Sequence, residues 1–174
     1  GTQGKFPQPT GWVPALRCAP AGMTIDMTDR NTRIAALHAA AKERILLLDG
    51  SWGVMFQKMG LAEEDFRGDR FTTDAYPGQM KGNNDILCLT RPDRVTHLHD
   101  AYFEAGADIT ETNTFSATTI AQDDYDLNLQ DVIDINLEGA RLAREAADAW
   151  TEKQPDKPRF AAGSIGPLNK MLSM

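Results

Sequence analysis

Cysteine is scarce in this 174-residue chain: Cys18 and Cys88 are its two, with no CxxC or CC pair. That excludes a disulfide framework and a self-contained cysteine metal clip. Both read as free thiols, Cys18 in a loop and Cys88 in a buried strand. Long apolar runs are missing as well. None approaches the roughly 18 to 20 residues needed to cross a bilayer, and the amino terminus lacks a charged-then-apolar secretory pattern. A cytoplasmic protein with no membrane partner is expected. Positive charge is in deficit, with 18 Lys and Arg against 25 Asp and Glu, a net charge of −7 and a pI near 4.9. Such a field repels phosphate backbones, so nucleic acid is not an expected partner. No GxGxxG or GxxxxGK[ST] loop follows any strand candidate, which removes the phosphate cradles of nucleotide-binding open sheets.

What is present is the composition of an ordinary globular domain, 41% hydrophobic and 25% charged. Residues 1–26, with four prolines, four glycines and no apolar period, read as a flexible leader or appended segment. The domain is expected over 27–174. Thr28 or Asp29 can cap a first helix whose apolar positions are Ile34, Leu37 and Ala41. ILLLDG, residues 45–50, has the form of a strand buried on both faces. WGVMFQKMGL reads as a short helix, and Glu63 to Asn84 as a long polar loop. NDILCLT, residues 84–90, is a second strand candidate. Thr90, Pro92 and Asp93 then start a helix carrying Val95, Leu98, Tyr102 and Ala105 on one face, with Gly106 placed to end it.

ADITETNT is the third strand candidate and RFAAGSIGP the fourth. Between them lies the clearest helix, residues 131–150, with Ile133, Leu137, Ala140, Ala143, Ala147 and Trp150 as its apolar stripe. Strands alternating with helices predict a parallel α/β sheet, either doubly wound or part of a barrel. Polar residues sit at the carboxyl ends of successive strands: Asp49 with Gly50, Asn113 with Thr114, Ser164 with Gly166. In a barrel those ends converge on one mouth, where active sites are built. The barrel is favoured on that ground.

The segments ILLLDGSWGVMFQ, DFRGDRF, MKGNNDILCLTRPDRV, AYFEAGADITETNTFSATTIAQDDY, ARLAREAADAW and PRFAAGSIGPLNK occur in one order. Together they resemble the amino-terminal homocysteine-binding module of cobalamin-dependent methionine synthase. The resemblance covers residues 45 to 170. It implies a (β/α)8 barrel in which zinc, held by three cysteine thiolates, coordinates homocysteine. A free thiol is mostly protonated at neutral pH and the thiolate is the nucleophile, so coordination supplies what the reaction needs. The methyl group would come from methylcobalamin on a separate module, recharged from methyltetrahydrofolate.

By the same resemblance Asp49 meets the substrate amino group, with helix capping as the structural alternative. Gly50 and Ser51 offer backbone amides to the substrate carboxylate. Here DGSWGV stands where the family usually has a run closer to DGAMGT, which puts Trp52 beside the pocket. Asn113 and Thr114 match the family's TNTF, and Glu111 is a candidate whose alternative is an internal ion pair. Gly163 and Gly166 match its GALGP loop, from which GSIGP departs at two positions. His97 and His99 lie two apart on a helix and face different directions, so they read as surface or packing histidines. Asp123, Asp124 and Asp126 lack the glycine and glutamate of a calcium loop.

Barrels of this kind take about 250 residues, the smallest about 200, so the chain from Met27 supplies the first half, about four β/α units. The family's zinc cysteines lie in the later half, and neither Cys18 nor Cys88 matches them. No catalytic residue and no metal ligand are therefore expected in this chain, no cofactor is expected bound to it alone, and the fragment is expected to be inactive. Its expected partners are homocysteine, the remaining half of the barrel and the cobalamin and folate modules. Open strand edges also allow self-association. Two alternatives remain: a non-catalytic, self-associating half-barrel that binds a small amino acid or is only structural, and a betaine-type homocysteine methyltransferase.

Overall fold

The computed structural model describes residues 29–168. The expected leader over 1–26, Thr28 as a cap, Cys18 and the residues beyond Leu168 lie outside them. Helix α1 (Arg30–Glu43) starts where Asp29 was expected to cap it: the carboxylate accepts from Thr32 N at 2.9 Å. Its buried residue is Ala36, packed with Phe160, whereas Ile34 is exposed. Of the expected Ile34, Leu37, Ala41 stripe, Leu37 packs half-buried against Ala36 and Phe160, whereas Ile34 and Ala41 are exposed.

The segment after α1 is held by one buried carboxylate. Asp108 accepts both guanidinium nitrogens of Arg44 at 2.7 Å and Leu47 N at 2.9 Å. Leu47 O in turn accepts from Asp108 N and Ile109 N, and Asp49 N donates to Ile109 O at 2.9 Å. That segment therefore runs parallel to β1 (Ile109–Glu111), bridged at Leu48 and Ile109. It is not buried on both faces as expected: Ile45, Leu47 and Leu48 are exposed, since residues 29–168 supply no layer over its outer side. Strand β2 (Phe160–Ala162) pairs in parallel with β1, Ile109 opposite Phe160 and Glu111 opposite Ala162.

NDILCLT is not a strand. Asn84–Ile86 form a 3-10 turn and Leu87–Thr90 a short helix, with Ile86, Leu87 and Cys88 wholly buried. A brief apolar run has the same pattern in a buried strand and a buried helical turn, and here the packing chose the helix. Cys88 is accordingly buried on a helix. The described residues form three parallel strand segments rather than four, fewer than the four β/α units expected. Thr90 is not the next helix's cap, because its hydroxyl donates back to Ile86 O; Arg91 takes that place, with Pro92 at the first helical position as expected.

We number the remaining helices in chain order: α2 (Trp52–Lys58), α3 (Glu63–Arg67), α4 (Leu87–Thr90), α5 (Pro92–Glu104), α6 (Thr119–Gln122) and α7 (Leu129–Lys153). Val95 and Leu98 of α5 are buried, joined by His99 and Phe103, and Gly106 ends the turn at φ +109°. The long loop after α2 is not loose. Glu63 accepts from the amides of Met80 and Lys81, Arg67 donates to the carbonyls of Phe71 and Tyr76, and Arg70 and Tyr76 both reach Asp131.

Helix α7 begins with a reciprocal cap between Asn128 and Asp131 and crosses from β1 to β2. Its buried face is Val132, Ile135, Gly139, Leu142 and Ala146, whereas Ile133 and Leu137 of the expected stripe are exposed at 41% and 66%. Ala143 and Ala147 belong to both. Gly139 decides the rotation: a Cβ there would stand 2.7 Å from Thr114 Cγ2, so only glycine lets the helix settle on Thr114 and Cys88. Phe71, Met80, Ile86, Leu98 and Ile135 form the centre of the core. Among the described residues no helix is long and apolar enough to cross a membrane.

Candidate functional site

Parallel strands put their carboxyl ends on one side, and a cleft of about 600 Å³ opens there. Asp49, Gly50, Ser51, Glu111 and Asn113, five of the expected site residues, line it. Ser164 follows β2 onto the same wall. Asp49, Asp85, Glu111 and Asp124 all face this space, and no Lys, Arg or His among the described residues lines it. The carboxylates of such a cleft favour a cationic group beside them.

Asp49 is held from one side. Its Oδ2 accepts from Thr110 Oγ1 at 2.7 Å, Trp52 Nε1 at 2.9 Å and the Glu111 amide at 3.0 Å. Its Oδ1 is shielded from solvent and has no partner among the described residues. Trp52, where DGSWGV departs from the usual run of the family it resembles, is therefore part of the setting of Asp49. Burial, together with the negative charge of Asp49, raises the Tyr102 pKa above the ordinary phenol range. The Tyr102 ring stands 3.7 Å from the position a Cβ on Gly50 would take.

The other expected residues have different surroundings. Glu111 accepts from Ser164 Oγ at 3.5 Å, a weak contact that leaves the carboxylate turned to the cleft. Asn113 spends its amide nitrogen on Asn84 O at 2.7 Å, tying the β1 end to the Asn83–Asp85 wall. Thr114 does not line the cleft; its hydroxyl donates to Ser164 O at 2.9 Å from beneath. Gly163 lies on a second groove, between α1, α7 and β2. Gly166 donates its amide to Phe115 O, and a Cβ there would fall 2.6 Å from Phe115, so its close backbone approach is to Phe115.

Sequence reasoning missed Asp85. It lines the cleft behind Asn83 and Asn84, and burial pushes its pKa up to about 7, against the backbone amides of Ser116 and Phe115. Gln122 Nε2 donates to Asp85 at 3.3 Å, and Asn83 Nδ2 donates to Gln122 Oε1 at 2.6 Å. A carboxylate between two asparagines and an apolar run was the available signal. His99 was expected to pack and does: it is wholly buried, its Nδ1 2.7 Å from Thr110 Oγ1. His97 is exposed.

Among the described residues no three His, Cys, Asp or Glu side chains converge to hold a metal ion. Cys88 stands alone, and burial pushes its thiol up to about 12. The donor set of residues 29–168 does not fit the zinc that the resemblance implies.

An α/β chain with short parallel strands, a crossover helix and a polar cleft at the strand ends is consistent with part of a TIM-type barrel. Residues 46–174 match the homocysteine S-methyltransferase family, and the chain belongs to that family. It is similar in fold to the homocysteine methyltransferase MmuM from Escherichia coli. The metallated form superposes with a TM-score of 0.57 at 21% identity over 75% of this chain and 41% of that one. The oxidized form gives 0.58 at 23% identity over 75% and 40%. The chain thus spans about two fifths of the length of those structures.

Proposed function

We propose that this chain is the part of a homocysteine S-methyltransferase that holds the amino-acid end of homocysteine. One observation carries the reading. Asp49 follows the segment bridged to β1, on the wall of an acidic cleft, with one carboxylate oxygen saturated and the other buried and without a partner among the described residues. An ammonium group is the ligand that such an oxygen takes best, as a charge-assisted bond. Gly50 and Ser51, next along the wall, offer backbone amides to the substrate carboxylate. Asn113 fixes the facing wall, and Thr114, Gly163 and Gly166 shape the loops behind it.

The finer assignment is the cobalamin-dependent methionine synthase type, with methionine as product and methylcobalamin as methyl donor in the complete protein. The motif runs KGNNDIL and ETNTFSATTIAQ support it over the betaine type. Zinc would supply thiol activation there. The described residues do not provide its ligands, so we assign them elsewhere in the complete enzyme and route no step through the metal. A cytoplasmic setting and inactivity of this chain alone belong to the same reading. The exposed Ile45, Leu47, Ile133 and Leu137 are the faces that the rest of the barrel would cover.

Calorimetric titration of homocysteine, with and without zinc, into the chain alone and into the full-length protein tests this. Binding is expected in the full-length protein, and Asp49→Asn weakens it by about a hundredfold, the cost of losing a buried charged partner. Tight binding of zinc and homocysteine to the chain alone would refute the proposed division of labour. Unchanged affinity in Asp49→Asn would refute the role of Asp49. Mass in solution addresses the self-associating alternative, which predicts a stable dimer of this chain.

A further inference from the structure

The setting of Asp49 begins on a different helix. His99 of α5 has no exposed surface, and its Nδ1 lies 2.7 Å from Thr110 Oγ1. The Thr110 hydroxyl donates to Asp49 Oδ2 at 2.7 Å. A hydroxyl carries one proton. Since that proton goes to Asp49, the Thr110 oxygen accepts from His99, and the imidazole carries its proton on Nδ1. Nε2 is left as a buried acceptor with no partner among the described residues.

Packing alone does not account for an imidazole here. Leaving a buried acceptor unmade costs stability that a phenyl ring of similar size would not. The ring is also gripped: Trp52 meets it edge-on, centroids 4.6 Å apart, and the same Trp52 donates to Asp49 Oδ2. Burial lowers the imidazole pKa to about 4, so it stays neutral across the physiological range.

We propose that His99 is a positioning residue: through Thr110 it orients the Asp49 carboxylate, directing every donor among the described residues to Oδ2 and leaving Oδ1, buried and unpartnered, for the ligand's ammonium group. The proposal rests on the assignment of Asp49 to that ammonium group. Its physical content is cooperativity, because a hydroxyl that accepts one bond donates a stronger one.

The test uses the full-length protein and homocysteine as the titrant. Thr110→Val keeps the side-chain shape and removes the hydroxyl. His99→Asn keeps a donor near the Nδ1 position, and His99→Phe removes it. Thr110→Val and His99→Phe are each expected to weaken binding about tenfold, the range for a hydrogen bond to a charged group, whereas His99→Asn retains most of the affinity. In an Asp49→Asn background Thr110→Val should have no further effect, since the relay then has no carboxylate to orient. The 15N spectrum of His99 at neutral pH should show the neutral Nδ1-protonated tautomer.

An Nε2-protonated tautomer would overturn the proposal whatever the binding result, and it is read without any variant. Wild-type affinity in Thr110→Val alongside loss in Asp49→Asn would overturn the relay and leave the assignment of Asp49 standing. Additive losses would overturn it too, as the mark of general structural damage. Wild-type affinity in Asp49→Asn would instead overturn the assignment on which the relay rests.

Discussion

Replacing Gly139 with alanine sets two effects of known size against each other. Alanine in a helix interior is favoured over glycine by about 1 kcal/mol. The added methyl, however, would stand 2.7 Å from Thr114 Cγ2 and 3.4 Å from Cys88 Sγ. Carbon atoms meet comfortably at about 3.5 to 4.0 Å, so the overlap with Thr114 is roughly 1 Å. Overpacking of that kind costs about 1 to 3 kcal/mol. Thr114 cannot yield freely, because its hydroxyl is bonded to Ser164 O and shared with Thr112. Gly139→Ala is therefore expected to lower stability by about 1 kcal/mol, measured by equilibrium urea unfolding followed by tryptophan fluorescence. Thr114→Ser removes Cγ2, the atom that overlaps most, and leaves only the milder 3.4 Å approach to Cys88 Sγ. In that background the same Gly139→Ala should raise stability by up to about 1 kcal/mol, a reversal of sign. Equal effects in both backgrounds, or a stabilised single variant, would show that α7 does not rest on Thr114.

Asp85 gives a pH prediction. Its folded-state pKa of about 7 stands above the ordinary carboxylate value of about 3.9, so the folded chain holds a proton that the unfolded chain releases. Stability should fall as pH rises from about 4 to 7, by at most about 4 kcal/mol. Asp85→Asn should flatten that slope, and identical slopes in both proteins would disprove it. Asp108 has the opposite sign. Burial, the largest influence, pushes it up, but Arg44, the Leu47 amide and Lys157 outweigh it and hold it below the usual range. Its stabilisation is present above about pH 4 and lost in acid. Arg44→Ala should cost about 2 kcal/mol at neutral pH, discounted for the exposure of Arg44, and a loss too small to measure by urea unfolding would refute the clamp. Cys88 should resist thiol reagents in a Cys18→Ser variant until the protein unfolds, and stoichiometric labelling of the native chain would contradict its burial.

Local chemistry was legible wherever a residue acts on its own neighbours. Asp29 caps α1, Pro92 opens α5 and Gly106 closes it because each effect spans only a few residues. The alignment of Asp49, Asn113 and Ser164 at strand ends was legible too, since a parallel sheet puts those positions on one side. Faces and registers were not. The Ile133 and Val132 stripes of α7 lie next to each other on the helix, and both carry apolar side chains. The close fit of Gly139 on Thr114 chose between them. NDILCLT has the same pattern as a strand and as a helical turn, and the helix was chosen by packing around Ile86, Leu87 and Cys88.

The sequence by itself determined the family, the parallel α/β plan and the position of Asp49, because motif order, alternation and strand-end polarity are written along the chain. The tertiary structure alone decided that Asp85 is buried at the cleft and that His99, Thr110 and Trp52 converge on Asp49. Those contacts join residues far apart in sequence, and their energy comes from desolvation and hydrogen-bond geometry, which exist only once the chain has folded.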